Sequence, residues 1–377
     1  MTAFNTHIHL PPNFSAFKSV QQAVSLAASQ GLSVLGANNY YDFRVYAEFA
    51  ALAREKSIFP QFGLEVICLL EGLQADGIKL NDPGNSGKLY LCGKGMTRFD
   101  PLPAEAAALL QTIRDADSKR MAAVVTALES LFDDCALPTG LTAEAIKQRI
   151  AARHGSPFET IYLQERHVVQ AFQEVLFERM IPSARPYFLE ALFDAPPKSK
   201  PTDAAAVQNE IRSRLLKSGK PAYVPETFVG FDHAYQLLLA LGSIPSYPVL
   251  ADGASPLTEY EQSPDTLAAD LKARSIPAAE FIPNRNTPEV LSRYVHTLRG
   301  AGLFLTAGTE HNTPDLLPLA PTCLGSVPIP GDLQEIFWEG TCIVAAHQDL
   351  AAKKQPGFAP GCDLEEFRRL GEKVLAL

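Results

Sequence analysis

The sequence predicts an α/β barrel with a mainly helical insertion, and three observations support this fold class. Short apolar segments alternate with helical patterns near both ends of the 377-residue chain. The links between these segments are short, which favours parallel strands joined by right-handed crossovers. Residues 101–220, by contrast, carry helical periodicity and little strand character. We therefore predict a barrel formed by residues 1–100 and 221–350, a helical insertion at 101–220, and a C-terminal helical tail at 351–377.

The first hundred residues contain strands and helices in alternation. The strands are short apolar runs, and the helices carry apolar side chains at intervals of three and four residues. In chain order these elements are predicted at residues 4–9, 17–30, 32–35, 45–56 and 60–70. Residues 71–88 are rich in Gly, Asp and Asn and predict a surface excursion. A further strand is expected at residues 89–92.

Helical patterns dominate the middle of the chain, and the alternation returns after Pro221. The predicted insertion helices cover residues 104–112, 121–132, 142–153 and 160–180. The later strands are expected at residues 243–250, 280–283 and 303–306. Helices are expected at residues 231–241, 264–274, 288–300, 334–348 and 363–377, so the second half of the barrel repeats the strand–helix order of the first.

Composition restricts the classes of function. The net charge is −9, which argues against nucleic acid as a partner, because nucleic-acid binding favours a basic patch. No apolar run is long enough to span a membrane, and no basic-then-apolar segment precedes the first strand. The six cysteines form no CxxC pair, which is typical of free thiols in a reducing compartment. We expect a cytoplasmic protein that acts on a small molecule, and nothing in the sequence predicts its oligomeric state.

The first candidate site is the histidine pair in the segment Asn-Thr-His-Ile-His-Leu at residues 5–10. His7 and His9 lie two residues apart in a predicted strand, so their imidazoles share one face. Neutral imidazole is the commonest protein ligand of zinc and also binds iron and manganese. The alternative is that both histidines lie on the polar face of a surface strand.

Polar residues recur directly after the later predicted strands or within them. In barrels of alternating strands and helices, the C-terminal strand ends form one rim that carries the active site. Glu65, Glu310 and His311 would meet His7 and His9 at that rim, giving a mixed set of nitrogen and oxygen ligands. We predict one or two divalent ions, Zn²⁺, Mn²⁺ or Fe²⁺. Because Glu65 lies in an otherwise apolar strand, its buried carboxylate requires a metal or an ion-pair partner.

Cationic and amide side chains at the same strand ends are candidates for substrate binding. Arg285 has the planar, permanently charged group that clamps anionic oxygens, and Lys94 supplies a point charge. Asn284, Asn38 and Asn39 could add hydrogen bonds to a substrate. The alternative for the two cations is an ordinary surface salt bridge.

Three motifs resemble those of the PHP (polymerase and histidinol phosphatase) family. They are His-Ile-His at residues 7–9, Gly-Leu-Glu at 63–65 and Gly-Thr-Glu-His at 308–311. The resemblance covers about residues 1–100 and 221–315 and skips the insertion. It implies a distorted (β/α)7, TIM-like barrel that holds up to three divalent metals, usually for hydrolysis of phosphoesters.

The sequence departs from that family pattern at several metal-ligand positions. Asn38 and Asn39 stand where the family has Asp and His, and Tyr90 and Tyr247 replace later histidines. The final Asp-x-His motif becomes Glu310 followed by His311 or Asn312. The resemblance therefore implies a reduced site, with His7, His9, Glu65, Glu310 and His311 as the remaining candidate ligands.

The resulting hypothesis is a metal-dependent hydrolase that acts on a small phosphorylated or otherwise anionic metabolite, with Glu65 and His311 as candidate catalytic groups. One alternative is a degenerate barrel that binds a ligand or partner without catalysis. A second alternative is a hydrolase of the amidohydrolase type, whose first strand also carries His-x-His.

Overall fold

A computed structural model describes residues 3–376 and contains one eight-stranded sheet that curls into a nearly closed barrel. Strands β1 to β4 are Ala3–Ile8, Leu32–Asn39, Phe59–Leu69 and Lys88–Lys94. Strands β5 to β8 are Val229–Gly230, Ile244–Val249, Ala278–Phe281 and Phe304–Ala307. Around the barrel the order is β1-β2-β3-β4-β6-β7-β8, and the two-residue β5 pairs with the end of β3. The structure therefore confirms the predicted TIM-like α/β fold.

Strand β4 runs antiparallel to both of its neighbours, whereas the other barrel pairs are parallel. The segment between β3 and β4 contains only one short helix and makes no full crossover, so the chain returns beside β3 in the opposite direction. As a result, Lys94 lies beside Gly63 and Ile244, at the end of the barrel opposite the other strand ends. This direction differs from the expectation that Lys94 follows its strand at the common rim.

The barrel closes where β8 meets β1. The Thr6 hydroxyl donates to the Ala307 carbonyl at 2.9 Å, and the His9 amide donates to the Glu310 carbonyl at 2.8 Å. Gly308 permits this approach, because a Cβ at that position would collide with the Cβ and backbone of His7. The seam thus brings the end of β8 directly against the histidine strand.

The helices cover the barrel and build the insertion. The first barrel helices, α1 to α3, are Val20–Ser29, Val45–Glu55 and Glu71–Ala75. The insertion contains α4 to α8 at Ala104–Asp134, Ala143–His154, Glu165–Arg179, Arg185–Phe193 and Ala204–Leu215. The remaining helices, α9 to α13, are Phe231–Ala240, Pro264–Ala273, Pro288–Gly300, Gly331–Ala352 and Leu364–Leu375. Helices α12 and α13 pack on each other and against β8.

Helix α4 connects the two largest hydrophobic clusters of the protein. Its first half, with Leu110 and Ile113, packs on the barrel core. Its second half, with Leu128 and Phe132, belongs to a separate core within the insertion. The sequence predicted two helices here because the apolar pattern is interrupted by polar residues. The structure shows one continuous 31-residue helix, which contains no Gly or Pro to break it.

The helices and the cysteines of the described residues agree with the composition. Among the helices within residues 3–376, none is long and apolar enough to cross a membrane. All six cysteines lie in this described part of the chain and are free thiols, four of them buried. The expectation of free thiols is therefore confirmed.

Candidate metal centre

His7, His9 and Glu65 converge inside the barrel, and we call them the metal triad. His7 lies on β1, His9 directly follows that strand, and Glu65 lies on β3 two strands away. All three side chains are buried. The strand spacing explains the pairing, because residues i and i+2 of β1 present both imidazoles to the same interior space.

The three donor atoms of the metal triad form a nearly equilateral triangle. The two imidazole Nε2 atoms are 3.4 Å apart, and they lie 3.5 and 3.4 Å from Glu65 Oε2. A tetrahedral site with metal–ligand bonds of about 2.1 Å has edges of about 3.4 Å. The donors of the metal triad therefore fit one divalent ion, with further coordination positions free for water or substrate.

His7 is held by a carboxylate on its other ring nitrogen. His7 Nδ1 lies 2.7 Å from Glu280 Oε1, and Lys94 Nζ donates to the same oxygen at 2.6 Å. Burial alone would lower the pKa of His7, but Glu280, Cys92 and Glu65 raise it well above its usual value. A hydrogen bond from Nδ1–H to Glu280 leaves Nε2 as the metal-binding nitrogen, the arrangement by which proteins orient a ligating histidine.

Glu65 is held in a similar way by Tyr40. The Tyr40 hydroxyl donates to Glu65 Oε1, which leaves Oε2 facing the two histidines. Burial alone would raise the pKa of Glu65, but His7 and His9 lower it well below its usual value, so the carboxylate is ionised. The Tyr40 ring also stacks on His9 at a centroid distance of 5.3 Å. His9 Nδ1 is buried and has no hydrogen-bond partner within residues 3–376.

A second group of potential ligands, His7, Cys92 and Glu280, lies deeper in the barrel. Burial raises the pKa of the Cys92 thiol to about 12, so it is not a thiolate. Lys94 already neutralises Glu280, and the pair is buried on both sides. This group therefore supports His7 rather than providing a second metal site of its own.

The structure does not bring Glu310 and His311 into the metal triad. Arg285 forms a bidentate ion pair with Glu310, and Asn312 donates to the same carboxylate at 2.6 Å. His311 Nδ1 lies 2.7 Å from the Thr309 hydroxyl, and its Nε2 lies 2.9 Å from the Leu317 carbonyl. Glu310 and His311, both predicted as metal ligands, therefore use their polar atoms in contacts with other protein groups.

The amide residues proposed for substrate binding lie at three different places. Asn38 is buried, donates to the Thr6 carbonyl at 2.9 Å and lies near Lys94. Asn39 hydrogen-bonds both the amide and the carbonyl of Leu10, which links the ends of β1 and β2. Asn284 lies in a 3₁₀ turn at Pro283–Arg285 and is partly exposed. Of the predicted substrate-binding residues, only Arg285 lines the cavity described next.

A cavity of about 700 Å³ lies between the barrel mouth and the insertion. His7, Glu65 and Tyr40 form part of its barrel side, together with Arg285 and Glu310. Five cations, four of them from the insertion, also line the cavity, and we call them the basic wall, namely Lys88, Arg120, Arg166, Arg212 and Lys217. The volume is within the usual range of small-ligand sites, about 300–1,000 Å³.

Three non-glycine residues with a left-handed backbone lie at or directly beside this cavity. Tyr41, Glu310 and His311 have positive φ angles of 54°, 57° and 52°. Each non-glycine residue in this left-handed region costs about 1–2 kcal/mol. Strain of this kind is often retained at functional sites, because it positions side chains that a relaxed backbone would not.

Sequence reasoning missed Tyr40, Glu280 and all five residues of the basic wall. Glu280 carried a usable signal, because it is a carboxylate in the otherwise apolar strand β7, as Glu65 is in β3. Tyr40 follows the end of β2, where polar neighbours had been noted. The cations of the insertion come from three separate helices and the segment after α8, so no local pattern connects them.

Comparisons with known proteins place the fold but assign no family. No protein-family model matches the chain, and no curated protein sequence matches it. The resemblance to the PHP family therefore stays a resemblance.

Two solved structures share the fold over most of their length. One is a provisionally assigned metal-dependent phosphoesterase from Bifidobacterium adolescentis, with a TM-score of 0.57 and 14% identity over 89% of this chain and 95% of that chain. The other is an amidohydrolase from Chromobacterium violaceum, solved with sulfate and no metal, with a TM-score of 0.54 and 16% identity over 89% of this chain and 97% of that chain. Because both identities are low, these similarities establish the architecture alone.

Proposed function

We propose that the protein is a metal-dependent hydrolase of small phosphate esters. The observation that carries this proposal is the triangle of His7 Nε2, His9 Nε2 and Glu65 Oε2, whose edges of 3.4–3.5 Å suit a single divalent ion. Two of these residues also line the cavity, so a bound substrate could reach the ion. The phosphoesterase and amidohydrolase among the structural neighbours support the hydrolase class.

Different residues of this chain would bind the metal ion, position its ligands and bind the substrate. His7, His9 and Glu65 would hold the ion, which when bound polarises a phosphoryl oxygen and lowers the pKa of bound water. Glu280 holds His7 in the tautomer that leaves Nε2 free, and Tyr40 holds Glu65 in place. Arg285 lies on the cavity wall in its ion pair with Glu310, where its guanidinium faces the space available to an anionic group.

Metal content and hydrolysis test the proposal together. Wild-type protein purified without chelator is expected to hold about one equivalent of a divalent ion. It is also expected to hydrolyse p-nitrophenyl phosphate when Mn²⁺ or Zn²⁺ is added. His9→Ala should lower metal affinity and turnover by more than the roughly 10–100-fold loss typical of a residue that only supports a ligand.

The matched control is His296→Ala, because His296 is an exposed histidine of α11, remote from the cavity lining and paired with Asp332. This variant should keep wild-type metal content and turnover. Metal bound without turnover on phosphomonoesters would favour the binding-only alternative, and turnover on amides instead would favour the amidohydrolase alternative. A protein that takes up no divalent ion would refute the proposal.

A further inference from the structure

The basic wall is the strongest feature of the molecule that the proposed metal chemistry does not use. Its residues come from β4, α4, α6, α8 and the segment after α8. They line the same cavity of about 700 Å³ as His7 and Glu65. A charged surface assembled from four elements and one connecting segment inside one cavity is suited to a charged ligand.

Three of the five cations of the basic wall share one carboxylate. Glu165 at the start of α6 lies 3.0 Å from Arg120, 2.9 Å from Arg212 and 3.1 Å from Lys217. One negative charge is therefore shared by three positive charges, which leaves this group with a net positive charge. The basic groups lower the pKa of Glu165 well below its usual value although its burial alone would raise it, so this carboxylate is ionised.

The other carboxylates at this end do not restore neutrality. Lys88 pairs with Asp82 at 3.1 Å and more distantly with Glu226 at 3.5 Å. Glu226 also lies 3.3 Å from Arg120. Burial raises the pKa of Asp117 to about 7, so its carboxyl is only partly charged near neutral pH.

Arg166 is the basic-wall cation that forms no ion pair with a carboxylate among residues 3–376. Within residues 3–376, no acidic oxygen lies within 4.0 Å of its guanidinium, and its nearest polar partner is Asn209 Oδ1 at 3.3 Å. Its side chain is half-buried, 5.9 Å from the Phe14 ring in the cavity wall. Burial and the neighbouring Arg212 lower its pKa to about 10, which still leaves it charged at neutral pH. A charge held away from water is costly unless an opposite charge joins it.

We infer that the basic wall, through Arg166 in particular, binds a second anionic group of the substrate while another group of the same molecule reaches the metal triad. The ligand class is a small molecule with two separated anionic groups, each a phosphate or a carboxylate. A guanidinium recognises either group through paired hydrogen bonds. This inference rests on the proposed function for the reacting group, but the anion site itself exists without metal.

Anion binding to the metal-free protein tests the site independently of hydrolysis. Inorganic phosphate and acetate are titrated in parallel by calorimetry, and the tighter of the two identifies the preferred group. Arg166→Ala should weaken that binding by about tenfold, the equivalent of one charge-assisted hydrogen bond, and Arg166→Lys should restore part of it. Arg149→Ala is the control, because Arg149 is a half-exposed arginine of α5 outside the cavity lining.

Kinetics with the metal-loaded enzyme test whether both groups belong to one substrate. Butane-1,4-diol bisphosphate should have a KM at least about tenfold below that of butyl phosphate. Arg166→Ala should abolish this advantage by raising KM for the bisphosphate. A general folding defect would instead lower the apparent kcat for both esters, and thermal unfolding would reveal it.

The two proposals fail in different ways. Equal anion affinity in wild type and Arg166→Ala, or equal KM for the two esters, would overturn the second-group inference and leave the hydrolase proposal standing. Phosphate or acetate binding that depends on Arg166, with neither ester hydrolysed, would overturn the hydrolase proposal and retain the anion site.

Discussion

The two sides of the cavity use opposite designs to place charge. The metal triad consists of short side chains on barrel strands, buried to at least nine-tenths, and its donor atoms match the edges of one coordination polyhedron. The basic wall consists mostly of long side chains on insertion helices, of which Arg212 and Lys217 keep 27% and 34% of their surface exposed. The metal triad therefore selects a ligand by the geometry of its donor atoms, whereas the basic wall selects a ligand only by its negative charge.

The difference shows what each scaffold contributes. Strands hold His7 and Glu65 rigidly, and each has a second hydrogen bond, to Glu280 and Tyr40 respectively, that removes rotational freedom. Arginine and lysine side chains on helices can adjust to the position of an anion and remain partly hydrated. We therefore expect substitutions on the barrel side to have large and specific effects, and those on the insertion side to have smaller and graded ones.

The largest predicted effect is on the buried ion pair beneath the metal triad. Lys94→Met leaves the fully buried Glu280 carboxylate without its ammonium partner. Removing one member of a buried ion pair costs about 3–5 kcal/mol, and we expect a loss of this size in the free energy of unfolding. Urea denaturation monitored by circular dichroism measures it, with Lys353→Met on the surface of α12 as the control.

The corresponding substitution on the insertion side is Glu165→Gln. It removes the carboxylate shared by Arg120, Arg212 and Lys217, but two of these cations can turn toward water. The loss should therefore be about 1–2 kcal/mol, between an exposed and a buried pair. If Glu165→Gln destabilised the protein more than Lys94→Met, the proposed contrast between the two sides would be wrong.

The next effect concerns the support of a metal ligand. Tyr40→Phe keeps the aromatic ring stacked on His9 but removes the hydroxyl that donates to Glu65. Loss of such a supporting hydrogen bond typically lowers metal affinity by about 10–100-fold, and we expect a loss in this range with an unchanged fold. Competition with a chelating dye measures the affinity.

Tyr235→Phe is the matched control, because its hydroxyl bonds the Ser275 carbonyl on the barrel exterior. Metal affinity of Tyr40→Phe equal to that of Tyr235→Phe would show that Tyr40 does not position Glu65.

Much of the fold was predictable from the sequence, because the apolar strands and amphipathic helices of the barrel are local patterns. The direction of β4 was not predictable from the sequence, because it depends on whether the connection from β3 crosses the sheet. The continuity of α4 was also missed. The polar interruption in its pattern contains Asp117 and Arg120, which line the cavity and thus replace apolar residues for a reason outside the helix.

The candidate site was predictable in part. The positions of His7 and His9 follow from strand periodicity, and Glu65 stood out as a carboxylate in an apolar strand. Glu310 and His311 were expected beside them, but both have positive φ angles, and no spacing rule predicts how such a turn directs its side chains. Arg166 could not be identified, because its importance comes from the absence of a carboxylate partner among residues 3–376, which only the folded structure shows.

The smallest predicted effect is the pH dependence of anion binding at the basic wall. Burial raises the pKa of Asp117 to about 7, Arg120 and Tyr41 oppose this rise, and Glu226 and Glu165 add to it. Asp117 is therefore largely neutral at pH 6 and anionic at pH 8, so the cavity becomes less positive as the pH rises. A single added charge at 4–8 Å in a hydrated cavity changes a binding free energy by about 0.5–1 kcal/mol, and sulfate binding should weaken about two- to fivefold from pH 6 to pH 8.

Sulfate is the appropriate probe because it does not titrate in this range, and Asp117→Asn should remove most of the pH dependence.

The same substitution has a consequence for stability whose sign is fixed by the raised pKa. Because the folded-state pKa of about 7 exceeds the unfolded value of about 3.9, Asp117 favours folding at low pH, and this contribution is lost as the pH rises toward 7. Asp117→Asn should therefore lose less stability than wild type between pH 4 and pH 8 in chemical denaturation. An identical pH profile of both sulfate affinity and stability in the two proteins would show that Asp117 is already ionised throughout, and that the basic wall is less positive than we infer.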